Sequence, residues 1–152
     1  MATVVWNGAG QNVAQVVTLT VTAVAVGGTL TATINAKNIT YTCVTGDTTT
    51  TAATGWLALL QATTVPPEFG EIDWTSSGAV VTATANVPGT PFTLTKSQAG
   101  GATCTLATTT ANSSQSDVNN ANNWLRNLSA ALPQTADDVI LANSSIPLLW
   151  NL

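Results

Sequence analysis

Apolar residues alternate with threonine along much of the first 110 residues, the pattern of β-strands with one buried face. Between positions 17 and 23, valine, leucine and alanine occupy the odd positions and threonine the even ones. After Gly27-Gly28 the alternation resumes from Leu30 to Ile34, and the short segment 35–38 leads into Ile39 to Cys43. Two strands joined by such a short, Asn-bounded connection predict a β-hairpin.

One helix is predicted among the strands, over about residues 48–62. Its apolar positions recur at i, i+3, i+4 and i+7 and form one stripe: Ala53, Trp56, Leu57 and Leu60. Asp47 or Thr48 can cap its start, and Val65-Pro66-Pro67 ends it, because the residue before a proline disfavours α conformation. Gly55 lowers helix propensity by about 1 kcal/mol relative to Ala, so packing of the stripe on a sheet must stabilise the helix.

Further strands follow the helix. They are predicted at Glu71 to Thr75, Val80 to Ala85, Phe92 to Thr95 and Ala102 to Leu106. The order of strands, one helix and more strands indicates an α+β fold that is mainly β. We therefore expect an antiparallel sheet or sandwich with one short helix packed on it, formed by residues 1–110.

The composition changes after residue 110. Residues 111–123 are rich in Thr, Asn, Ser and Gln, which predicts a polar linker. Residues 124–152 are predicted to form a C-terminal β-extension or oligomerisation segment. Its last seven residues include five large apolar ones: Ile146, Leu148, Leu149, Trp150 and Leu152. Either they fold back on their own domain or they are buried against another chain, because an uncovered apolar strand promotes aggregation. We place the interface at these five residues, with Trp6 and Trp124 beside them.

Charge is scarce throughout the chain. Only 7% of the residues are charged, against roughly 25% in an ordinary soluble domain. Threonine takes much of the missing share, and it gives a sheet a wettable surface without charge. An isolated monomer is normally kept soluble by dispersed charge. We therefore expect this chain to hide much of its surface against partners.

The few charges also exclude some partners. The three basic residues, Lys37, Lys96 and Arg126, are scattered, whereas phosphate binding needs basic clusters, so we expect no direct nucleic-acid binding. A net charge of −4 argues against adhesion to anionic membranes. The longest apolar stretch, residues 21–26, is far shorter than the roughly 20 residues of a membrane span. The start lacks the features of a signal peptide, so we expect synthesis in a cytoplasm and no general secretion.

The sequence offers few groups for catalysis. It contains no His, the commonest general base, and no Gly-x-Ser-x-Gly nucleophile motif. Glu71 and Asp73 would project from one face of a strand with Glu68 nearby, whereas the adjacent Asp137 and Asp138 would point to opposite faces. Either group could be considered for Ca²⁺, but solvated surface carboxylates explain them better. We expect no catalytic residue, no cofactor, no metal site and no enzymatic activity.

The two cysteines leave two alternatives open. Cys43 and Cys104 each lie in phase with apolar neighbours on a predicted strand, so both should face the core. They are either small buried thiols or one disulfide that joins two strands distant in sequence. Two cysteines without a histidine supply too few ligands for a metal site.

Four segments carry a resemblance that spans nearly the whole chain: residues 4–16 (VVWNGAGQNVAQV), 30–43, 65–72 and 87–95. They resemble a group of structural proteins encoded near capsid genes in tailed phages and prophage-like regions. A further piece, with Asn122-Asn123-Trp124, Pro133 and residues 137–140, resembles the first rung of a right-handed β-helix. Such a rung cannot bury its own hydrophobic face. The resemblance therefore implies packing on the first domain or completion by neighbouring copies, as in a trimer.

These observations lead to one preferred function and two alternatives. We expect a structural virion protein of a tailed phage, a capsid decoration (cement) protein that binds the shell as a homo-oligomer. The first alternative is a tail subunit, or a subunit of an extracellular filament or surface layer at the cell surface. The second is a carbohydrate-binding module, suggested by the five tryptophans: Trp6, Trp56, Trp74, Trp124 and Trp150.

Overall fold

The computed structural model describes residues 2–141, which divide into two compact units. Unit 1 comprises residues up to Val13, Pro88–Thr90 and the residues from Asn112 onward. Unit 2 comprises Ala14–Val87 and Pro91–Ala111. This division corrects the predicted one in two respects. The N-terminal strand belongs with the C-terminal strands, and residues 112–123 are part of unit 1 rather than a linker.

The protein is mainly β, as predicted. Its strands are β1 (Thr3–Trp6), β2 (Val16–Ala23), β3 (Thr29–Ile34), β4 (Lys37–Thr42), β5 (Ile72–Ser77), β6 (Val80–Ala85), β7 (Thr95–Ala99), β8 (Thr103–Thr110), β9 (Trp124–Arg126), β10 (Ser129–Ala130) and β11 (Asp138–Ile140). Its helices are α1 (Thr49–Leu60), α2 (Pro67–Gly70) and a 3₁₀ turn at Ala121–Asn123. The short α2 was not predicted.

Unit 2 contains two antiparallel sheets and α1. The strand orders are β5-β6-β2-β8 and β4-β3-β7. Alternation decides which face is buried: Val17, Leu19 and Val21 of β2 point into the core, while Thr18 and Thr20 lie on the opposite face. The outward threonines pair across strands, Thr18 with Thr82 of β6 and Thr20 with Thr105 of β8. Most of the unit's sheet surface is thus polar and uncharged, as the high threonine content predicted.

Helix α1 packs on this core through the predicted stripe. Thr48 caps its start and forms a capping box with Thr51. Trp56 is fully buried, and its indole Nε1 donates to the Ile39 carbonyl oxygen at 3.3 Å. The tertiary structure explains why residue 55 is glycine, because a Cβ there would lie 2.5 Å from the ring of Tyr41 on β4. The glycine that weakens the isolated helix allows it to approach the sheet closely.

Side chains of β7 supply hydrogen-bond partners to the backbone of β8, the edge strand of the neighbouring sheet. Lys96 Nζ donates to the Cys104 carbonyl oxygen at 2.7 Å, and the Cys104 N–H donates to Gln98 Oε1 at 2.7 Å. Because β8 is an edge strand of its sheet, these bonds replace a ladder partner at that point. Cys43 and Cys104 are both buried free thiols, so the disulfide alternative is not formed, and burial raises the pKa of the Cys104 thiol.

One predicted strand is wrong. Residues 91–94 form no strand, and β7 begins only at Thr95. The side chain of Gln15 takes the place of a pairing strand. Its Nε2 donates to the Phe92 carbonyl oxygen at 2.8 Å, and its Oε1 accepts from the Phe92 N–H at 3.2 Å. Phe92 and Leu94 pack on the core from this irregular segment.

Unit 1 is a small sheet of order β10-β9-β1-β11. The N-terminal strand β1 lies at its centre, antiparallel to β9 and parallel to β11. The predicted C-terminal β-extension is therefore present, and it pairs with the first strand of the chain. A bridge between Val13 and Ser113 joins the flanking segments.

Candidate assembly surface

The interface residues predicted from the sequence fall into two groups. Ile146, Leu148, Leu149, Trp150 and Leu152 lie outside the described residues. Trp6 and Trp124 are 2% and 1% exposed, so their prediction as interface residues is corrected. They are directly opposite each other on β1 and β9 and pack edge to face, with ring centroids 4.9 Å apart. These tryptophans therefore stabilise unit 1 from inside and do not form its surface.

Asn123 organises the polar interior of unit 1. It is fully buried, its Oδ1 accepts from the Gly10 N–H at 2.7 Å, and its Nδ2 donates to the Asp117 carbonyl oxygen at 2.9 Å. Its backbone carbonyl oxygen accepts from the Asn7 N–H at 2.9 Å. Gly10 leaves room for the amide, since a Cβ there would lie 2.6 Å from Asn123 Oδ1. The sequence placed Asn123 only in a segment of resemblance and did not predict its buried amide, because an Asn in a polar run resembles any linker residue.

An ion pair fixes the turn that leads into β11. Arg126 Nε and Nη2 donate to the Asp137 carboxylate at 2.7 and 3.2 Å. The same carboxylate accepts from the Gln134 N–H at 3.0 Å and the Ala2 N–H at 3.3 Å. The hydrogen bond from Arg126, helped by the backbone donors, lowers the pKa of Asp137 to about 2. Asp137 is therefore a structural carboxylate whose oxygens already have donors.

The other carboxylates considered for a cation do not converge. Asp73 and Asp138 are exposed on β5 and β11, and Glu71 immediately precedes β5 rather than lying on it. Within residues 2–141, no group of three or more His, Cys, Asp or Glu side chains could hold a metal ion.

The most exposed apolar part of the described chain is residues 128–141 of unit 1, here called the apolar segment. Its large exposed side chains, with their exposed fractions, are Leu128 (92%), Leu132 (41%), Val139 (46%), Ile140 (48%) and Leu141 (55%). Among the described residues, part of the segment forms β11, an edge strand on which every residue is exposed. Exposed apolar edge strands are typical of sites where another chain binds.

Leu128 occupies a costly position within this segment. It is the second residue of the two-residue turn between β9 and β10, in which Asn127 and Leu128 have φ of 51° and 66°. Turns with two positive φ angles favour Asn-Gly, and a side chain with a Cβ costs about 1–2 kcal/mol there. The turn between β3 and β4 has the same form with Asn35 and Ala36, at φ of 47° and 61°.

Unit 2 has a pocket of about 470 Å³ beside the end of α1. Its apolar lining includes Leu60, Val65, Pro66, Phe69 and Trp74. The polar atoms of two lining residues are already satisfied. Trp74 Nε1 donates to the Phe69 carbonyl oxygen at 2.9 Å, and Gln61 Nε2 donates to the Trp74 carbonyl oxygen at 2.6 Å. Leu60, Phe69 and Trp74 are 1–2% exposed, so the pocket offers little of their apolar surface to a ligand.

The tryptophans that suggested carbohydrate binding are covered. Four of the five lie in the described residues, each at most 2% exposed: Trp6, Trp56, Trp74 and Trp124. Sugar rings stack on an open indole face, and none of these four side chains presents one. The surface of units 1 and 2 therefore offers no tryptophan platform within residues 2–141.

No protein-family model and no curated protein sequence matches this chain. Among residues 2–141, none of the helices has both the length and the apolar character that crossing a bilayer requires.

Proposed function

We propose that this protein is a structural subunit that acts by assembly, specifically a capsid decoration protein of a tailed-phage virion. The observation that carries the assembly role is the apolar segment, whose five large side chains are 41–92% exposed. The resemblance of residues 4–16, 30–43, 65–72 and 87–95 to proteins encoded near capsid genes supports the place of assembly. The partners are then copies of this chain and a capsid protein, and the location is the virion.

Covering the apolar side chains of this segment would favour association. Burial of apolar surface contributes about 25 cal/mol per Å², and specific interfaces bury about 1,200–2,000 Å² in total. The exposed side chains of β11 include only one charged group, Asp138, next to Val139 and Ile140. Few charges would have to lose water when a second chain covers this edge. The same scarcity of charge over the whole chain lowers the cost of burying other surface.

The assembly role is tested by placing charge on the apolar segment. We expect the Ile140→Asp, Leu141→Asp double variant to remain folded and to lose self-association, because two buried carboxylates would oppose the interface. Light scattering after size exclusion and sedimentation velocity give the mass over a range of concentrations. Val26→Asp with Val87→Asp is the matched control, because these side chains of unit 2 are 70% and 62% exposed. Equal loss in both variants, or none in the first, would contradict the proposal.

The place of assembly needs a separate test. Antibodies raised against the purified protein would be used to label particles from the source culture for electron microscopy. Labelled heads are the expected result. Labelled tails, or long fibres formed by the protein without particles, would replace the decoration role with the tail or filament alternative, since a filament needs a non-closing contact.

A further inference from the structure

Asn7 and Gly8, directly after β1, form the dipeptide in which an asparagine side chain cyclises most readily. In that reaction the backbone nitrogen of the following residue attacks the side-chain Cγ of the asparagine. Glycine leaves this nitrogen unhindered because it has no Cβ. Every other asparagine of the sequence is followed by a residue with a side chain, which hinders ring closure. Asn7 is therefore the asparagine of this chain that is most prone to cyclise.

The structure acts on the two reacting groups in opposite ways. Asn7 Oδ1 accepts from the Ala9 N–H at 3.3 Å, which stabilises negative charge on this oxygen when a nucleophile adds to Cγ. The nucleophile itself is restrained, because the buried Gly8 N–H donates to the Asn123 carbonyl oxygen at 3.3 Å. The same oxygen accepts from the Asn7 N–H at 2.9 Å. The Gly8 nitrogen is thus available for attack only when the contact with Asn123 opens.

We propose that Asn7 is a site of spontaneous deamidation whose rate is set by the opening of unit 1. In the open form the Gly8 nitrogen loses its proton and bonds to Asn7 Cγ, and the side-chain nitrogen leaves as ammonia. Water then opens the cyclic imide at either of its carbonyl groups, which gives aspartate or isoaspartate. No electron is transferred, and water is the only reagent consumed. This chemistry requires no partner and does not depend on the proposed assembly role.

Isoaspartate at position 7 keeps unit 1 from closing again. The main chain then runs through the side-chain carbon, so it is longer between residues 7 and 8. Gly10, just beyond, is fixed closely against Asn123. Its N–H donates to Asn123 Oδ1 at 2.7 Å, and a Cβ there would lie 2.6 Å from that oxygen, so little space is left for a shift. The lengthened chain cannot restore all of these contacts, and an opening that was reversible becomes permanent.

The rate of conversion is measured by mass spectrometry of the full chain during incubation at mildly alkaline pH, with fragmentation to locate the changed residue. We expect Asn7 to convert first, ahead of the exposed Asn35 and Asn127, which precede alanine and leucine. Asn123→Ala should convert roughly tenfold faster than the wild type, because loss of buried hydrogen bonds raises the population of the open form. The exposed neighbour gives the matched control, Asn122→Ala, which should keep the wild-type rate. Protein unfolded in urea sets the upper limit.

Three results would overturn the proposal. Conversion of Asn35 or Asn127 before Asn7 would remove the site. Equal rates in the wild type and in Asn123→Ala, or in folded and urea-unfolded protein, would remove its control by opening.

The effect of the product is tested separately. The isoaspartate form carries an added negative charge and is isolated by ion exchange. Its amides in β1 and β9 should exchange faster than those of Asn7→Asp, which has the charge without the longer main chain. Equal exchange in these two proteins would contradict a permanent opening.

Discussion

The two units of this protein are stabilised in different ways. The unit 2 core includes nineteen buried hydrophobic residues, contributed mainly by two sheets and α1. The unit 1 core has three among the described residues, Val4, Trp6 and Trp124. Unit 1 depends instead on directed polar contacts, chiefly the buried amide of Asn123 and the pair of Arg126 with Asp137. Loss of one contact in unit 2 therefore leaves most of its stabilising contacts in place. In unit 1 each contact supplies a larger fraction of the stability of the unit.

The same difference explains where apolar surface remains exposed. Strands of six to eight residues in β2, β3 and β6 have one buried face and an opposite face made mainly of threonine. Strands of two to four residues in unit 1 are too short to give such a face a complete cover. A unit that buries so few apolar residues is marginal by itself. We expect unit 1 to open at lower free energy than unit 2, and binding of a partner to stabilise it.

The largest expected effect is in the core of unit 2. Trp56→Ala removes a fully buried indole, and we expect the free energy of unfolding to fall by about 3–5 kcal/mol. Denaturant unfolding followed by circular dichroism measures it. Leu59→Ala on the same helix is the control, because Leu59 is 41% exposed and its loss should cost far less. Similar costs for both variants would show that α1 is not held by its buried stripe.

A smaller and more local effect is expected in unit 1. Asn123→Ala leaves the Gly10 N–H and the Asp117 carbonyl oxygen without their partner, at about 1–3 kcal/mol for each buried group left unsatisfied. Hydrogen exchange should become faster in β1 and β9 and stay unchanged in β2 and β8. The exposed neighbour Asn122 provides the control as Asn122→Ala. Faster exchange throughout both units would mean that they unfold together, and the comparison between them would fail.

The smallest effect is a pH dependence confined to unit 1. The pKa of Asp137 is about 2 in the folded state, below its ordinary value of 3.8, so its contribution to stability is present above 3.8 and is lost as pH falls towards 2. The protection factors of the β11 amides, which correct for the intrinsic pH dependence of exchange, should therefore fall over that range. Asp137→Asn should remove the dependence and lower protection at neutral pH. Asp138→Asn, on the exposed edge strand, should leave the dependence in place.

Unit 2 also contains a carboxylate with a lowered pKa, Asp47, and its titration must be distinguished from that of Asp137 in the exchange experiment. The Val44 N–H and the Tyr41 hydroxyl donate to Asp47, and these bonds lower the pKa of Asp47. Its contribution is likewise lost at acid pH, but it acts at the start of α1. Amides of β1 and β11 should respond to Asp137→Asn and not to Asp47→Asn. The reverse result would contradict the expectation that unit 1 opens separately from unit 2.

Much of unit 2 was predictable because its signals are local. Both ends of the strand from Val80 to Ala85 were predicted correctly, and each end of α1 was predicted to within two residues. The strand at Phe92 to Thr95 was wrong because alternation indicates a buried face but cannot show that Gln15 supplies the pairing. The candidate surface was predicted only in kind. The predicted apolar tail, residues 146–152, lies outside the described residues. Trp6 and Trp124, predicted beside it, are internal.

The sequence by itself determined that this protein carries little charge, which is a matter of composition. It also determined that the protein is mainly β with one principal helix, because the periods of apolar residues in strands and helices are evident within short stretches of chain. Only the tertiary structure decided that β1 lies between β9 and β11, more than one hundred residues away, and that Asn123 closes that arrangement. Pairing at such separation depends on which backbone edges meet in the folded chain. No local period encodes that choice. The sequence therefore predicted a linker at residues that belong to unit 1, and an interface at two tryptophans that are buried in it.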